Sequence, residues 1–201
     1  MPSFIARGGQ WRERLAASSS GAAGRPITYE AYGTGPKPVF WGSDVLPNAG
    51  FSPAGGARYA CAVPELPAGP VYVLEDHHFL GADPAAYADP TLTIEPAGDP
   101  RDNGKVYTVC VRGNVLFSNG KSHLVFRGLV TDETAGQMAD GTVQGYGIRI
   151  EGGSDVLVGT PGSGGKAADV TGGRRPAGMA PDRGTHERGA AGGGTGRRGP
   201  R

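Results

Sequence analysis

Two copies of one short pattern, about thirty residues apart, constrain the fold of this chain more than any other feature. The first copy is residues 119–126 (NGKSHLVF) and the second is residues 151–158 (EGGSDVLV). In both, a glycine turn leads through a serine and one polar residue into three apolar residues. A period in this range is typical of solenoids, in which each turn of the chain stacks on the next. The pattern predicts that the two segments are successive rungs of a parallel β-helix.

The same region also fits an ordinary antiparallel sheet. Apolar residues at 115–117 and 124–126 flank a polar turn that contains Asn119 and Gly120. Asparagine and glycine tolerate a positive φ, and valine, leucine and phenylalanine suit a pleated, half-buried surface. Strand, tight turn and strand are also the pattern of a β-hairpin. An antiparallel sandwich therefore stays the alternative fold.

The first forty residues contain further recognisable segments. They include a tryptophan, a serine-glycine loop, a Pro-Ile-Thr-Tyr strand and an Ala-Tyr-Gly turn, at Trp11, 18–21, 26–29 and 31–33. Together with residues 119–129 (NGKSHLVFRGL) and 145–150 (GYGIRI), they resemble the N-terminal coils of bacterial right-handed parallel β-helix proteins, the pectate-lyase-like superfamily. The resemblance covers roughly residues 4–158. It implies an all-β chain that forms a truncated right-handed parallel β-helix, a single-stranded solenoid, over residues 1–158.

The resemblance implies a function less sharply than a fold, because fold does not fix function. Members of the superfamily include polysaccharide lyases, hydrolases, epimerases, phage tailspikes and proteins without known activity. We expect a carbohydrate-associated protein, a fragment of a polysaccharide lyase or glycoside hydrolase that lacks the active site. The alternative is a non-catalytic surface protein, an adhesin or a tailspike-like binding scaffold.

The last part of the chain, residues 159–201, has a different composition. It contains 14 glycines, scattered arginines and only Val170 and Met179 as sizeable apolar side chains. Such a segment buries too little apolar surface to offset its ordering entropy, so we expect a disordered Gly/Arg-rich tail. A second hypothesis is that the tail is a frameshifted translation of a GC-rich gene, because the strand pattern ends abruptly at Val158.

Charge and hydropathy limit the partners. The net charge of +1 gives no electrostatic reason to expect nucleic acid, and no apolar run is long enough for a membrane span. The resemblance implies an extracellular or cell-surface location, although no apolar signal segment follows Met1. It also implies a polysaccharide partner, while the open solenoid ends predict self-association. Cys61 and Cys110 lie in strand-like segments and are predicted to be buried free thiols, with a disulfide as the alternative.

The candidate catalytic residues are basic or acidic side chains near the repeats. By the resemblance, a lyase needs a basic residue near the uronate carboxylate. Arg149 is the best placed, on the strand face opposite Tyr146, Ile148 and Ile150, and Lys121 and His123 lie near it in the repeat frame. The alternative is that these are solvated charges on the exterior of the rungs.

Two acidic segments complete the candidates. Asp132 and Glu133 are candidates for paired carboxylates in acid–base chemistry or Ca²⁺ binding, with a turn cap as the favoured interpretation. The doubled histidine His77-His78, preceded by Glu75-Asp76, is the densest cluster of possible metal ligands, with Asp76 and His78 as the candidates. Adjacent strand residues point to opposite faces, so a solvated turn is favoured there. No cofactor is evident from the residues, and Ca²⁺ is implied by the resemblance alone.

Overall fold

The computed structural model describes residues 3–63, 66, 71–81, 85–134 and 147–159. Within this part the chain forms β-strands and one 3₁₀ helix, Asn48–Gly50, and no α-helix. The strands are β1 (Ser3–Ala6), β2 (Gln10–Trp11), β3 (Leu15–Ala16), β4 (Ile27–Tyr32), β5 (Val39–Trp41), β6 (Ser43–Leu46), β7 (Ser52–Pro53), β8 (Tyr59–Ala62), β9 (Val73–Glu75), β10 (His78–Phe79), β11 (Ala86–Ala88), β12 (Thr91–Ile94), β13 (Tyr107–Cys110), β14 (Leu116–Phe117), β15 (Leu124–Arg127), β16 (Val130–Asp132), β17 (Ile148–Arg149) and β18 (Val156–Gly159).

The all-β prediction is confirmed over these residues. The predicted tail from residue 160 onward, and Tyr146, lie outside the part of the chain that the structure describes. No helix in the described ranges is long and apolar enough to cross a membrane.

The first sheet confirms that the two copies of the repeat pair side by side and in parallel. Its strand order is β1-β4-β15-β18, and every neighbouring pair is parallel. In the β15–β18 pair, Leu124 lies opposite Val156 and Phe126 opposite Val158, which is the register that the two sequence copies predict. The hairpin alternative is wrong here, because β14 and β15 belong to different sheets.

Two more sheets are also parallel, in the orders β2-β5-β16 and β3-β14-β17. The chain visits the three sheets in rotation: β1, β2 and β3 form one circuit, β4, β5 and β14 the next, β15, β16 and β17 a third, and β18 begins a fourth. Each circuit therefore stacks on the one before it. We call this part of the molecule the coil region.

The interior of the coil region follows from the period of two along each strand. In β4, Ile27, Tyr29 and Ala31 face the core, while the alternate residues face outward. Residues in register stack on one another across the coils. The rings of Tyr29 and Phe126 lie parallel at 4.9 Å, and those of Trp11 and Phe40 at 5.2 Å.

The turns between the sheets stack as well. The Ser20 hydroxyl oxygen accepts a hydrogen bond from the Ser122 N–H at 3.0 Å, and the Ser122 hydroxyl oxygen accepts one from the Ser154 N–H at 3.0 Å. Gly153 has φ +72°, and a Cβ there would lie 2.3 Å from the Lys121 carbonyl oxygen. Glycine is required at this position by both the backbone conformation and the close approach of the coil below.

The prediction of one solenoid from residue 1 to 158 is wrong for residues 43–110. These residues leave the coils and form two antiparallel sheets, in the orders β10-β9-β13-β6 and β11-β12-β8-β7. We call this part the insertion. The proline- and glycine-rich composition of residues 48–70 marks only a shorter excursion, because strand propensity does not show which sheet a strand joins.

The insertion leaves and rejoins the coils at one point. The Gly42 carbonyl oxygen accepts hydrogen bonds from the N–H groups of Val111 and Arg112, at 2.9 and 2.8 Å. The guanidinium group of Arg112 also donates to both carboxylate oxygens of Asp44. Because its two ends meet, the insertion adds a separate body without interrupting the stacking of the coils.

Two smaller expectations have clear outcomes. Cys61 and Cys110 are buried free thiols, as predicted, and burial raises the pKa of Cys61 to about 11. Ile150 was expected to face inward with Ile148. Only Ile148 packs against the core, whereas Ile150 is exposed because β17 ends at Arg149 and the alternation stops there.

The outermost strands of the first sheet are β1 and β18. Their outward residues Phe4 and Leu157 are exposed. Unpaired strand edges can take up a further strand, so self-association through these ends stays a prediction.

Two leucines on neighbouring strands test the inward and outward assignment. Leu124 is 0% exposed and Leu157 is 51% exposed. We expect Leu124→Ala to lower the free energy of unfolding by about 2–5 kcal/mol, because it leaves a cavity between coils. Leu157→Ala should change it by less than about 1 kcal/mol. Urea denaturation of both variants measures the difference, and equal losses would contradict the assigned faces.

Candidate functional site

Glu133 is the most deeply buried charged residue in the described part of the chain, at 1% exposure. It follows β16 directly and has φ 52°, a left-handed conformation that is uncommon for glutamate. The Asp132 carboxylate accepts a hydrogen bond from the Glu133 N–H at 2.8 Å. This local geometry directs the Glu133 side chain away from the coil strand and into the contact with the insertion.

The Glu133 carboxylate is held by groups from both parts of the molecule. Its Oε2 accepts hydrogen bonds from the hydroxyl of Ser43 and, at 3.1 Å, from that of Thr108, both in the insertion. The Arg12 guanidinium, from the first coil, lies 3.7 Å from the same oxygen and donates to the Ser43 carbonyl oxygen at 2.9 Å. A buried carboxylate needs such partners because desolvation of an unpaired charge is costly.

The other carboxylate oxygen of Glu133 binds a histidine. His77 lies in the turn between β9 and β10, and its Nδ1 is 2.5 Å from Oε1 of Glu133. The imidazole stacks on the indole of Trp41, with ring centroids 5.0 Å apart and planes 22° apart. The Arg12 guanidinium carbon also lies 5.4 Å from the centre of that indole ring. We call this group the junction cluster: Arg12, Trp41, Ser43, His77, Thr108 and Glu133.

The two acidic segments predicted from the sequence have separate hydrogen-bond partners. Asp132 caps the Glu133 N–H, which is the turn-cap interpretation, and the two carboxyl groups have different partners. The Asp76 carboxylate binds the Lys105 ammonium at 2.7 Å and the Val106 N–H at 3.0 Å. His78 bonds through Nδ1 to the backbone oxygen of Asp76 at 2.8 Å. In the described ranges no three His, Cys, Asp or Glu side chains are grouped so as to hold a metal ion.

Sequence reasoning missed His77 as the histidine that matters at this site. The backbone of Asp76 and His77 has positive φ, which turns the His77 side chain towards the coils. The doubled histidine marked the segment, but nothing in it showed which ring would meet Glu133, 56 residues further along the chain.

A second candidate surface is the outward side of the first sheet. We call it the outer face: Thr28, Glu30 and Tyr32 of β4, Val125 and Arg127 of β15, Leu157 of β18 and Phe4 of β1. Glu30 and Arg127 form an ion pair at 2.6 Å. Phe4 and Tyr32 are exposed, and their rings meet edge to face at 6.0 Å.

A cleft of about 320 Å³ lies at the other end of the outer face. One wall is the loop 22–26, which is closed by two backbone hydrogen bonds between Ala22 and Arg25. The floor includes Val125 and Leu157. In the same cleft the Nδ1 of His123 lies 3.1 Å from the Asp155 carboxylate, so a paired imidazole is the polar group that a ligand would meet.

The structure separates the three basic candidates. His123 lines the cleft beside the first sheet, and Lys121 lies in the turn that connects β14 to β15. Arg149 belongs to β17 in a different sheet. Its guanidinium lies over the Phe117 ring at 5.8 Å and pairs with Glu151 at 2.8 Å. The group proposed from the repeat frame is therefore not one site.

These features define a class: an all-β protein in which stacked parallel coils carry an antiparallel insertion, with polar clusters at the junction and on one outer face. The structure is similar to the solved complex of XylC with xylose, with a TM-score of 0.50 and 16% sequence identity. The match covers 77% of this chain and 35% of XylC, so the chain spans about a third of the length of that protein. No family model matches the sequence, and comparison with curated proteins found no match. The likeness concerns the fold alone and, with the stacked coils, agrees with a β-helix-like fold.

Replacement of the central carboxylate tests its part in joining the coils to the insertion. We expect Glu133→Ala to lower the free energy of unfolding by at least about 2 kcal/mol, because buried hydroxyl donors and the Arg12 charge lose their acceptor. Glu13→Ala, at an exposed site in the first coil, is the control and should change it by less than about 0.5 kcal/mol. Equal denaturation midpoints for the two variants would contradict this role.

The Asp76 pair gives a prediction in pH. The hydrogen bond from Lys105, and then that from the Val106 N–H, lower the pKa of Asp76 below its ordinary value of 3.8. The stabilisation from this pair is thus complete above the unfolded-state pKa and is lost as the pH falls through the folded-state value. Lys105→Gln should raise the pKa of Asp76 towards 3.8, as measured by NMR titration of the carboxyl carbon. An unchanged titration would contradict the assigned cause.

Proposed function

We propose that this chain is a carbohydrate-associated protein whose coil region is a right-handed parallel β-helix of the pectate-lyase-like superfamily. The rotation of the chain through three parallel sheets supports the β-helix. Crossover connections between parallel strands are right-handed in about 98% of cases, which supports a right-handed rather than a left-handed β-helix. The proposed assignment to the superfamily rests on the sequence resemblance of residues 4–158.

The observation that carries the proposed function is the composition of the outer face. Exposed Phe4 and Tyr32 supply apolar ring surface at one end, and the Glu30–Arg127 ion pair supplies hydrogen-bonding groups beside them. The His123–Asp155 pair lies in the cleft at the other end. A saccharide has apolar C–H surfaces and many hydroxyl groups, so it is matched by rings and charged hydrogen-bond partners on one surface.

The shape of the outer face suits an elongated ligand. From Ile27 to Tyr32, β4 extends about 17 Å at a rise of about 3.3 Å per residue. The cleft residues come from three successive coils, which lie about 4.8 Å apart. An oligosaccharide lying along β4 would contact the cleft at one end and the aromatic pair at the other.

The solved structure to which this fold is similar contains xylose, which supports a sugar as the class of ligand. The carboxylate of Glu30 on the outer face is paired with Arg127, and that of Asp155 in the cleft is paired with His123. The face therefore favours binding over the paired-carboxylate chemistry of glycosidases. Recognition of a polysaccharide is consistent with the proposed extracellular or cell-surface location.

Calorimetric titration and NMR shift mapping with xylo-, galacturono- and mannurono-oligosaccharides test the proposal. We expect at least one series to bind and to perturb the signals of β4, β15 and the 22–26 loop. Tyr32→Ala and His123→Gln should each weaken binding by about tenfold, because each removes a contact worth about 1–1.5 kcal/mol. His78→Gln, a histidine exposed on the insertion, is the matched control and should bind normally. Unchanged affinity in both Tyr32→Ala and His123→Gln would refute the outer face and its cleft as the binding surface.

Formation of an unsaturated product distinguishes the competing function, a polysaccharide lyase, from saccharide binding alone. Incubation with pectin, alginate and chondroitin, followed by the absorbance of the unsaturated product, should show no turnover. Saccharide binding without turnover favours the scaffold function, an adhesin or tailspike-like module. An unsaturated product would overturn that choice in favour of the lyase.

A further inference from the structure

A second site, distinct from the outer face, lies in the junction cluster. We propose that His77 is the proton acceptor of a hydrolytic site for carboxylic esters, with Glu133 as the residue that positions its imidazole. The imidazole is held on two sides, half of its side chain is open to solvent, and its neighbours leave water as the nucleophile.

The His77 ring is fixed from two directions. Its Nδ1 is hydrogen-bonded to Oε1 of Glu133, and the ring plane rests on the Trp41 indole. Glu133 is itself immobilised, because Oε2 accepts from the Ser43 and Thr108 hydroxyls. A carboxylate on Nδ1 selects the tautomer with Nδ1–H, which leaves Nε2 with a free lone pair. This is the arrangement by which a carboxylate orients a histidine general base.

The His77 side chain is open to solvent although its partner is not. Its side chain is 52% exposed, whereas the Glu133 side chain is 1% exposed. With Nδ1 occupied, Nε2 is the nitrogen that a ligand or a water molecule can reach.

The nucleophile at this site is water. Ser43 is fully buried and its hydroxyl donates to Oε2 of Glu133, the oxygen that His77 does not use. Cys110 is buried, and the burial raises the pKa of its thiol. Neither group is therefore suited to attack a substrate that approaches the exposed ring.

The reaction that fits is ester hydrolysis. Nε2 of His77 takes a proton from water as the water oxygen bonds to the ester carbonyl carbon, which gives a tetrahedral oxyanion. The oxyanion collapses and breaks the bond to the alkoxy oxygen, which takes the proton back from the imidazolium. The products are a carboxylic acid and an alcohol, with no change of oxidation state. Arg12, 27% exposed, lies over the same Trp41 indole on which His77 stacks, and its positive charge would favour an oxyanion formed at this site.

Glycosidic hydrolysis does not fit the same group. It requires two carboxyl groups that reach the two sides of the scissile bond. The junction cluster has one carboxylate, and Glu133 is buried beneath His77 and bonded on both oxygens. An O-acyl group on a saccharide is the ester that the proposed function would bring here. The choice of a saccharide as the alcohol part of the ester rests on the proposed function. The proposed roles of His77 and Glu133 do not depend on it.

The test uses the full chain and 4-nitrophenyl acetate, with release of 4-nitrophenol followed by absorbance. We expect His77→Gln to lower kcat/KM by at least tenfold while the chain stays folded, because the glutamine amide can still donate to Glu133 but cannot accept a proton from water. His78→Gln, next to it in the chain, should keep the wild-type rate. Glu133→Gln should lower the rate in the wild-type chain and have no further effect in the His77→Gln chain, since it acts through the histidine.

The pH profile separates a catalytic from a structural role. The wild-type rate should rise with deprotonation of a single group, and this rise should be missing in His77→Gln. Equal rates for the wild type and His77→Gln, or an equal loss in His78→Gln, would overturn the proposal. The probe carries no sugar, so this result is independent of saccharide binding. Release of acetate from acetylated xylo-oligosaccharides tests separately whether the alcohol part of the ester is a saccharide.

Discussion

The in-register stacking of one coil on the next is the constraint on which the rest of the structure depends. The β15–β18 and β4–β15 pairings set which side chains meet inside and which face outward. A shift of one residue would turn every inward side chain of a strand to the outside. The stacked rings of Tyr29 and Phe126, and the serine hydroxyls in the turns, oppose such a shift. The outer face and its cleft exist because this register is held.

The insertion depends on the coils through two contacts of different kinds. At Gly42 its ends are joined by backbone hydrogen bonds, and a Cβ there would lie 2.5 Å from the Glu133 carbonyl oxygen, so the approach is close. The buried carboxylate of Glu133 accepts hydrogen bonds from hydroxyl groups of the insertion and pairs with a guanidinium group of the first coil. A buried charge with this many partners fixes one arrangement of the two parts, because any other would leave it unpaired. The same rigidity is what a positioned histidine requires.

The candidate site was only partly predictable. Glu133 and Asp132 were identified from their charges after a strand, and the turn-cap interpretation of Asp132 agrees with its hydrogen bond. The pairing of Glu133 with His77 could not be inferred, because it joins a coil to the insertion across 56 positions. His123 and Arg149 were grouped by their places in the repeat, but the chain turns between sheets and puts them on different sides. Spacing along a chain does not encode these turns.

The sequence alone determined the all-β character, the inward and outward alternation of β4, and the register of residues 119–126 on 151–158. These depend on local properties: side chains alternate along a strand, and Asn-Gly or Gly-Gly turns accept positive φ. Only the tertiary structure decided that residues 43–110 pair antiparallel outside the coils and that Glu133 meets His77. The reason is physical: a strand sequence specifies a pleated, half-buried surface, whereas its partner and direction depend on which distant segments bury that surface together.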